Sequence, residues 1–258
     1  MNPFFFGSGA RRLFGIYFAA HPAAAGRSSR AVVLCYPWGS EYQYAHRSMR
    51  HLASSLSAAG IHVLRFDYFG TGDSFGEAHE AGLADWTSDI ETAIEELQDT
   101  TGVTRVGLVG LRLGATLAAQ VAAKKPQQVD RLVLWDPVVW GETYLQELWQ
   151  TSEQTPARAA PHGGREIQGF PITDDLSKEL LCVDLPASLA GFRGRALVIV
   201  SSRGSLDERL RSLQTTHSSG PLAVEEVESP PVWHPERGLG VGAIPVALVQ
   251  RIVEWLSR

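Results

Sequence analysis

Val106-Gly107-Leu108-Val109-Gly110-Leu111-Arg112-Leu113-Gly114-Ala115 is the most informative stretch of this sequence. An apolar run leads into Gly110 and small residues follow Gly114, which predicts a strand over 105–109, a tight turn and a helix over 115–123. The two glycines allow the chain to turn sharply, so the residue between them is expected at the tip of the turn in a strained conformation. That residue is Arg112.

The rest of the chain repeats the alternation of strand and helix. Continuous apolar runs are typical of strands buried on both faces of a parallel sheet, and they predict strands at 31–36, 61–66, 131–135, 196–200 and 222–227. Apolar residues at helical spacing and stop signals predict helices at 44–59, 86–98, 206–213 and 245–256. An N-terminal hairpin is expected, in which 4–6 pairs with 13–20 across a Gly-Ser-Gly turn.

Residues 137–190 break this alternation with aromatic, proline-containing and polar segments, and we expect a lid or cap insertion there. The pattern as a whole predicts an α/β fold with a mostly parallel central sheet and helices on both faces. A chain of 258 residues supports one sizeable core and is too short for two typical domains with a linker, so a single domain over 1–258 is expected.

Composition narrows the classes of protein to which the chain can belong. The net charge is −5 and no basic block occurs, so nucleic acid is not an expected partner. The 2 cysteines make no disulfide framework, which favours a reducing compartment and predicts a cytoplasmic location. No apolar run of about 18 residues predicts a membrane span, and the apolar N-terminal residues lack the features of a signal peptide. No metal-ligand spacing or dinucleotide fingerprint is present, so no cofactor is expected.

A strand, a Gly-x-Ser-x-Gly turn and a helix together form the nucleophile elbow of the α/β-hydrolase fold. Arg112 stands where that fold carries its serine, and a guanidinium that stays protonated has no nucleophilic lone pair. The sequence therefore excludes acyl-enzyme chemistry at this position.

Two interpretations of Arg112 remain open. In the first, the helix N-terminus, the N–H of Leu113 and the turn that contains Pro37 and Trp38 form an oxyanion cradle, to which the guanidinium adds a site for a carboxylate or phosphate. In the second, Arg112 pairs with Asp136 at the end of the neighbouring strand, and an internal ion pair fills the elbow.

The other two positions of a catalytic triad have several candidates. Asp207 lies just beyond the expected position of the acid but also suits the cap of the next helix, and Asp136 is a second possible acid. His234 is the histidine of the loop after the last strand, so it is either a general base or a surface residue. His46 has the same two interpretations, and Tyr42 is a nearby polar group that could contact substrate.

Several strings of the sequence resemble one bacterial group, the serine-aminopeptidase-like (S33-type) α/β hydrolases that accompany exosortase systems and some natural-product gene clusters. These strings are Cys35-Tyr36-Pro37-Trp38-Gly39, His46-Arg47, Leu64-Arg65-Phe66-Asp67-Tyr68, Gly70-Thr71-Gly72-Asp73-Ser74, Gly110 to Ala115, Leu134-Trp135-Asp136-Pro137-Val138-Val139 and Gly169-Phe170-Pro171-Ile172. The resemblance covers most of the chain and implies the α/β-hydrolase fold. It implies no peptidase or esterase reaction, because the serine of the elbow is absent, although an arginine there looks like a feature of the group.

These observations favour a cofactor-free biosynthetic enzyme that acts on a small or carrier-bound acyl, ester, thioester or carboxylate substrate. Fixed donors would stabilise negative charge as it develops on that substrate. The alternatives are a catalytically inactive binding or scaffold protein and, less favoured, a hydrolase that has moved its nucleophile to Ser40 or Ser205.

Overall fold

The central sheet of the described residues has eight strands, and its inner strands are apolar runs of the sequence. The computed structural model describes residues 1–22, 30–152, 158–160, 163–201, 208–217, 219–234 and 244–258. In sheet order the strands are β1 (Asn2–Phe6), β2 (Leu13–Phe18), β4 (Ile61–Phe66), β3 (Arg30–Cys35), β5 (Val106–Leu111), β6 (Val129–Trp135), β10 (Arg195–Ser201) and β11 (Leu222–Val227).

The sheet is mostly parallel, as the sequence predicts. Strands β4, β3, β5, β6, β10 and β11 run parallel to one another. The expected N-terminal hairpin, β1 with β2, continues the sheet in the antiparallel sense beside β4. Every residue of β5 is buried, because helices cover the sheet above and below this strand.

Helices connect the strands, and their bounds are α1 (Ser40–Ala58), α2 (Leu83–Thr101), α3 (Leu113–Lys124), α4 (Gly141–Ser152), α5 (Asp174–Leu181), α6 (Leu185–Leu189), α7 (Glu208–Thr216) and α8 (Val246–Ser257). From β3 the chain moves one way in the sheet to reach β4, and then returns past β3 to β5. Because such crossovers are right-handed, α1 and α2 lie on opposite faces. The change of direction leaves a crevice at the carboxyl ends of β3 and β5, which is where α/β proteins place their ligands.

Helix α1 begins at Ser40, earlier than the predicted start at 44, and this difference bears on the site. Gly39 precedes the helix with a φ of 68°, and polar residues occupy the first turn. Glu41 in that turn is buried. A buried acid breaks the apolar periodicity on which the prediction relied. The first turn of the helix could therefore not be predicted from that periodicity.

The segment 137–190, between β6 and β10, contains α4, α5, α6 and a small sheet. That sheet is antiparallel and pairs β7 (Arg158–Ala159) with β8 (Arg165–Ile167) and β8 with β9 (Phe170–Ile172). Strands of two or three residues are too short to show an alternation of apolar and polar residues, so the sequence did not predict them. Helix α4 and the turn after β8 reach the carboxyl edge of the main sheet, where they line a cavity with Arg112. The role of this segment as a cap stays a prediction.

Candidate functional site

Arg112 forms the turn between β5 and α3 by itself. The strand ends at Leu111 and the helix begins at Leu113. The φ and ψ of Arg112 are 53° and −122°, a left-handed conformation that residues other than glycine rarely adopt and that costs free energy. Neighbouring backbone holds it there, since its N–H donates to the carbonyl of Trp135 at 3.0 Å and its own carbonyl accepts from Val138 at 3.3 Å.

The glycines on either side of Arg112 are needed because other backbone lies against them. A Cβ at Gly114 would lie 2.2 Å from the carbonyl oxygen of Tyr36, and one at Gly110 would lie 2.4 Å from the Cα of Ala115. The first contact brings the segment that follows β3 against the N-terminus of α3. The two backbone stretches that the sequence predicts as oxyanion donors, near Trp38 and at Leu113, therefore lie next to each other.

Two glutamates, rather than Asp136, form ion pairs with Arg112. Its Nε donates to Oε1 of Glu41 at 3.0 Å, and its Nη2 donates to Oε2 of Glu147 at 2.5 Å. The other oxygen of Glu41 accepts from the hydroxyl of Tyr144 at 3.0 Å. The guanidinium also lies over the rings of Tyr144 and Trp233, at 5.4 and 4.9 Å from their centroids.

The two carboxylates differ in burial. The side chains of Arg112 and Glu41 are 11% and 8% exposed, whereas that of Glu147 is 52% exposed. Burial disfavours the charge on Arg112, but Glu41 and then Glu147 outweigh it and raise the pKa of the guanidinium. Burial raises the pKa of the Glu41 carboxyl, and Arg112 opposes that rise. Glu41 is thus a fixed partner, and Glu147 is one that water already reaches.

His234 shares a cavity of about 530 Å³ with Arg112, Glu41 and Glu147. Trp233 and Tyr44 supply aromatic surface to the same cavity. Partial burial lowers the pKa of His234, and the positive charge of Arg112 lowers it further, while Glu147 opposes both. The imidazole is therefore neutral at pH 7, the form in which it accepts a proton.

Asp136 accepts two hydrogen bonds from Ser201, and the second interpretation, in which it pairs with Arg112, is not what the structure shows. Its Oδ1 accepts from the N–H of Ser201 at 2.7 Å and its Oδ2 accepts from the hydroxyl of Ser201 at 2.5 Å. These bonds tie the end of β6 to the end of β10. Burial raises the pKa of Asp136 to about 6. The interpretation in which an Arg112–Asp136 ion pair fills the elbow is wrong, because Glu41 and Glu147 occupy the guanidinium.

His46 and Tyr42 belong to a polar network outside the walls of the cavity that Arg112 and His234 line. Arg65 donates to the hydroxyl of Tyr36 at 2.9 Å and lies 3.4 Å from Nε2 of His46. The hydroxyl of Tyr42 donates to Asp67 at 2.8 Å. The prediction that His46 could face the pocket as a base is not met, because α1 turns its side chain toward β4.

The remaining predicted residues have mixed outcomes. Trp38 is buried, and its ring centroid lies 5.9 Å from that of Phe170. Pro37 precedes it in a buried turn, and Leu113 is the buried first residue of α3. Asp207 and Ser205 lie outside the described residues, so their proposed roles stay predictions.

Sequence reasoning missed Glu41, Glu147 and Tyr144. Glu41 lies three residues after Trp38 of the predicted oxyanion turn, and that proximity in the sequence was the available signal. Glu147 and Tyr144 lie three residues apart on α4 and therefore on one face of the helix, but a Tyr and a Glu at that spacing are ordinary in any surface helix.

Within the ranges that the structure describes, no group of three His, Cys, Asp or Glu side chains is arranged to hold a metal ion. No helix in those ranges is both long and apolar enough to cross a bilayer.

Known proteins resemble this chain in parts of the sequence and throughout the fold. Protein ABHD12B of Homo sapiens is 41% identical over 105 residues, which cover 36% of this chain and 28% of that protein. Palmitoyl-protein thioesterase ABHD10, mitochondrial, of Homo sapiens is 36% identical over 74 residues, which cover 29% of this chain and 23% of that protein. The match thus spans less than a third of the length of either relative.

The structure of Est1E from Butyrivibrio proteoclasticus with bound ferulic acid superposes with a TM-score of 0.68, covering 98% of this chain and 96% of that chain. Its sequence identity is 11%, so this likeness concerns the fold alone. Residues 30–178, more than half of the 258 residues, match the family described as Serine aminopeptidase, S33. The match includes α4 and the turn between β5 and α3, which Arg112 occupies, so the chain belongs to the S33 serine-aminopeptidase family of α/β hydrolases.

Proposed function

We propose that the protein is an enzyme that hydrolyses an acyl ester or thioester without a serine nucleophile at its elbow. The observation that carries this proposal is the shared cavity of His234 and Arg112, which joins a neutral imidazole to a cation at the end of β5. The family and the thioesterase relative support acyl chemistry. The resemblance to exosortase-associated hydrolases favours a carrier-bound or free acyl intermediate of a bacterial exopolysaccharide or natural-product pathway.

In the proposed reaction, His234 removes a proton from water as the water oxygen bonds to the acyl carbon. Negative charge develops on the carbonyl oxygen, and the N–H of Leu113 at the start of α3 stabilises it together with backbone near Trp38. The bond from carbon to the leaving oxygen or sulfur then breaks. The imidazolium returns its proton to the leaving group, and the other product is a carboxylic acid.

Arg112 would hold an anionic group of the substrate. A guanidinium has five N–H donors, and Glu41 and Glu147 accept from two of its nitrogens. Glu147 is the exchangeable partner, since its side chain is 52% exposed and water already competes for its carboxylate, whereas that of Glu41 is 8% exposed. A substrate carboxylate or phosphate would displace it, while buried Glu41 keeps the guanidinium in place.

A second candidate is a catalytically inactive protein that binds a ligand in the same cavity. The buried Glu41–Arg112 pair favours it, because this contact satisfies part of the guanidinium without any substrate. The turn that holds Arg112 is therefore stable whether or not the protein catalyses a reaction. The two candidates differ in whether His234 matters for chemistry or only for packing.

The test is hydrolysis of p-nitrophenyl acyl esters and acyl-coenzyme A thioesters of different chain lengths. Wild-type protein should turn over at least one substrate, and His234→Gln should lower kcat by about 100-fold or more, the usual contribution of a general base. The matched control is His51→Gln, a half-buried histidine of α1 outside the cavity wall, which should leave kcat unchanged. Glu147→Gln should lower KM for substrates with a terminal carboxylate.

Other outcomes separate the candidates. Absence of turnover, together with ligand-induced thermal stabilisation that Arg112→Gln removes, would favour the inactive binding protein over the enzyme. Labelling of a serine by a fluorophosphonate probe would contradict both, because it would reveal a nucleophile elsewhere in the chain. Equal kcat in His234→Gln and wild-type protein would exclude His234 as the base.

A further inference from the structure

A cluster of arginines lies at the amino ends of the parallel strands, the edge of the sheet opposite Arg112. Arg30 opens β3, Arg105 immediately precedes β5, and Arg195 opens β10. Arg131 lies in β6 and is the register partner of Arg195. Parallel strands in register therefore bring together cations that are far apart in the sequence. With about 3.3 Å per residue and about six residues per strand, roughly 20 Å separates this edge from the elbow.

Three of these arginines line one cavity of about 450 Å³: Arg30, Arg105 and Arg131. Asp130 is the acidic residue in its wall, so the titratable side chains there carry a formal charge of +2. The volume lies within the range of small-molecule sites. Gly107 helps to keep the space open, because a Cβ there would lie 3.2 Å from Val32 and 3.6 Å from the Cβ of Arg131.

Arg131 carries an unsatisfied hydrogen-bond donor among the residues that line this cavity. Its Nη1 atom is buried and donates no hydrogen bond to any residue that the structure describes. Burial lowers the pKa of its guanidinium, and the charge of Arg30 lowers it further, with Asp130 acting in the opposite sense. Arg30 is already held, since its Nη1 donates to the carbonyl of Leu256 at 2.8 Å. A buried donor without an acceptor is unfavourable, and a bound anion would supply the missing acceptor.

We propose that this cavity is a second ligand site, which binds a phosphate monoester through Arg131, Arg30 and Arg105. A phosphate monoester dianion balances the +2 charge of the wall, and its three terminal oxygens match the forked donors of several guanidinium groups. The cavity is larger than a phosphate group alone, so it also holds part of the organic group that carries the phosphate. The site is independent of the reaction at Arg112.

The phosphate monoester comes either from a free phosphorylated metabolite or from the headgroup of a lipid such as phosphatidic acid. The first test uses isothermal titration calorimetry with glycerol 3-phosphate at constant ionic strength. Wild-type protein should bind it with 1:1 stoichiometry. Arg131→Gln and Arg105→Gln should each weaken the affinity by about tenfold or more, the effect expected from one lost charge-assisted hydrogen bond. Because Arg105 is exposed, its variant tests the site even if Arg131→Gln fails to fold.

Arg50→Gln is the matched control, because it removes an exposed arginine of α1 outside this cavity wall and should leave the affinity unchanged. A second arm measures co-sedimentation with vesicles of phosphatidylcholine, with and without phosphatidic acid. Recruitment that requires both phosphatidic acid and Arg105 would identify the lipid source. Saturable binding of glycerol 3-phosphate without recruitment to vesicles would identify the free metabolite.

Two results would overturn the proposal. One is the absence of binding in both arms. The other is binding that Arg50→Gln weakens as much as Arg105→Gln does, since that would indicate attraction to overall charge rather than a site. Neither result bears on the hydrolase proposal, whose test uses different residues at the opposite edge of the sheet.

Discussion

At the scale of single residues, Arg112 changes what its neighbours can do. A serine at the elbow would need a histidine as its base, whereas a guanidinium acts on the same histidine through its charge. His234 loses proton affinity through partial burial and then through this charge. The imidazole is thereby kept neutral, which is the form that the proposed general base requires.

Nuclear magnetic resonance can measure this coupling directly. The Hε1 signal of His234 should titrate with a midpoint below the ordinary value of about 6.5. In Arg112→Gln the midpoint should rise, because one repulsive charge is gone and Glu147 remains. His62 is the internal control, since burial alone lowers its pKa. A midpoint of His234 above 6.5 in the wild-type protein, or one that Arg112→Gln leaves unmoved, would contradict the coupling.

The sequence singled out Arg112 from the spacing of its flanking glycines, and it left His234 open between a general base and a surface residue. The structure places both side chains on one cavity, and their roles stay predictions. The partners of Arg112 could not be predicted, because Glu41 and Glu147 lie 71 and 35 positions away and meet it only in the tertiary structure. Asp136 was a reasonable partner because its strand adjoins β5. Its carboxylate instead accepts a hydrogen bond from the hydroxyl of Ser201 on the next strand.

At the scale of elements, the turn from β5 to α3 depends on close backbone approach. The carbonyls of Tyr36 and Cys35 would lie 2.2 and 2.5 Å from a Cβ at position 114. Neither is the flexible end of a side chain, so the segment after β3 or the helix must shift. The close approach of α3 to the segment after β3 therefore depends on Gly114.

Gly114→Ala should accordingly destabilise the fold by about 2 kcal/mol or more, the cost of forcing an extra group into a packed interior. Gly191→Ala is the matched control, because its Cβ would meet the nearest atoms at 3.6 Å, an ordinary contact. That variant should stay within about 0.5 kcal/mol of wild type. Urea unfolding followed by circular dichroism measures both. Equal stability of the two variants would mean that the elbow tolerates a wider turn.

Strands were easier to predict than helix ends or short strands. The predicted strand at 61–66 and the predicted strand at 222–227 match β4 and β11 in full. Helix α2 extends beyond the predicted 86–98 at both ends. Its last turn, 99–101, is polar and carries no apolar period, whereas at its start the prediction left out the buried Leu83. The strands β7, β8 and β9 were missed because two or three residues cannot show alternation.

At the scale of the whole molecule, buried acids link stability to pH. Burial raises the pKa of Asp136 to about 6 and that of Asp89 to about 6, from an ordinary value of 3.8. A folded-state pKa above the unfolded value means that the native state binds more protons between about pH 4 and 6. Stability from these groups is therefore fully present below pH 4 and lost as pH rises through 6. The histidines His46, His62 and His234 act oppositely, because their pKa values are lowered.

Asp136→Asn isolates one of these contributions, because the histidines and Asp89 are common to both proteins. The amide keeps an acceptor for the N–H of Ser201 and gains a donor for its hydroxyl, but it does not titrate. Between pH 7 and pH 4.5 the wild-type protein should gain about 2 kcal/mol of stability relative to Asp136→Asn. Urea unfolding at the two pH values measures this difference.

The direction of that change distinguishes two roles of Asp136. If its bonds to Ser201 outweighed the cost of burial, its folded-state pKa would lie below 3.8, and the wild-type protein would lose stability relative to the variant as pH falls. Asp99→Asn, which removes an exposed carboxylate of α2, corrects for the loss of one negative charge from the molecule. A relative gain at pH 4.5 that exceeds this control would show that Asp136 joins β6 to β10 at the expense of stability at neutral pH.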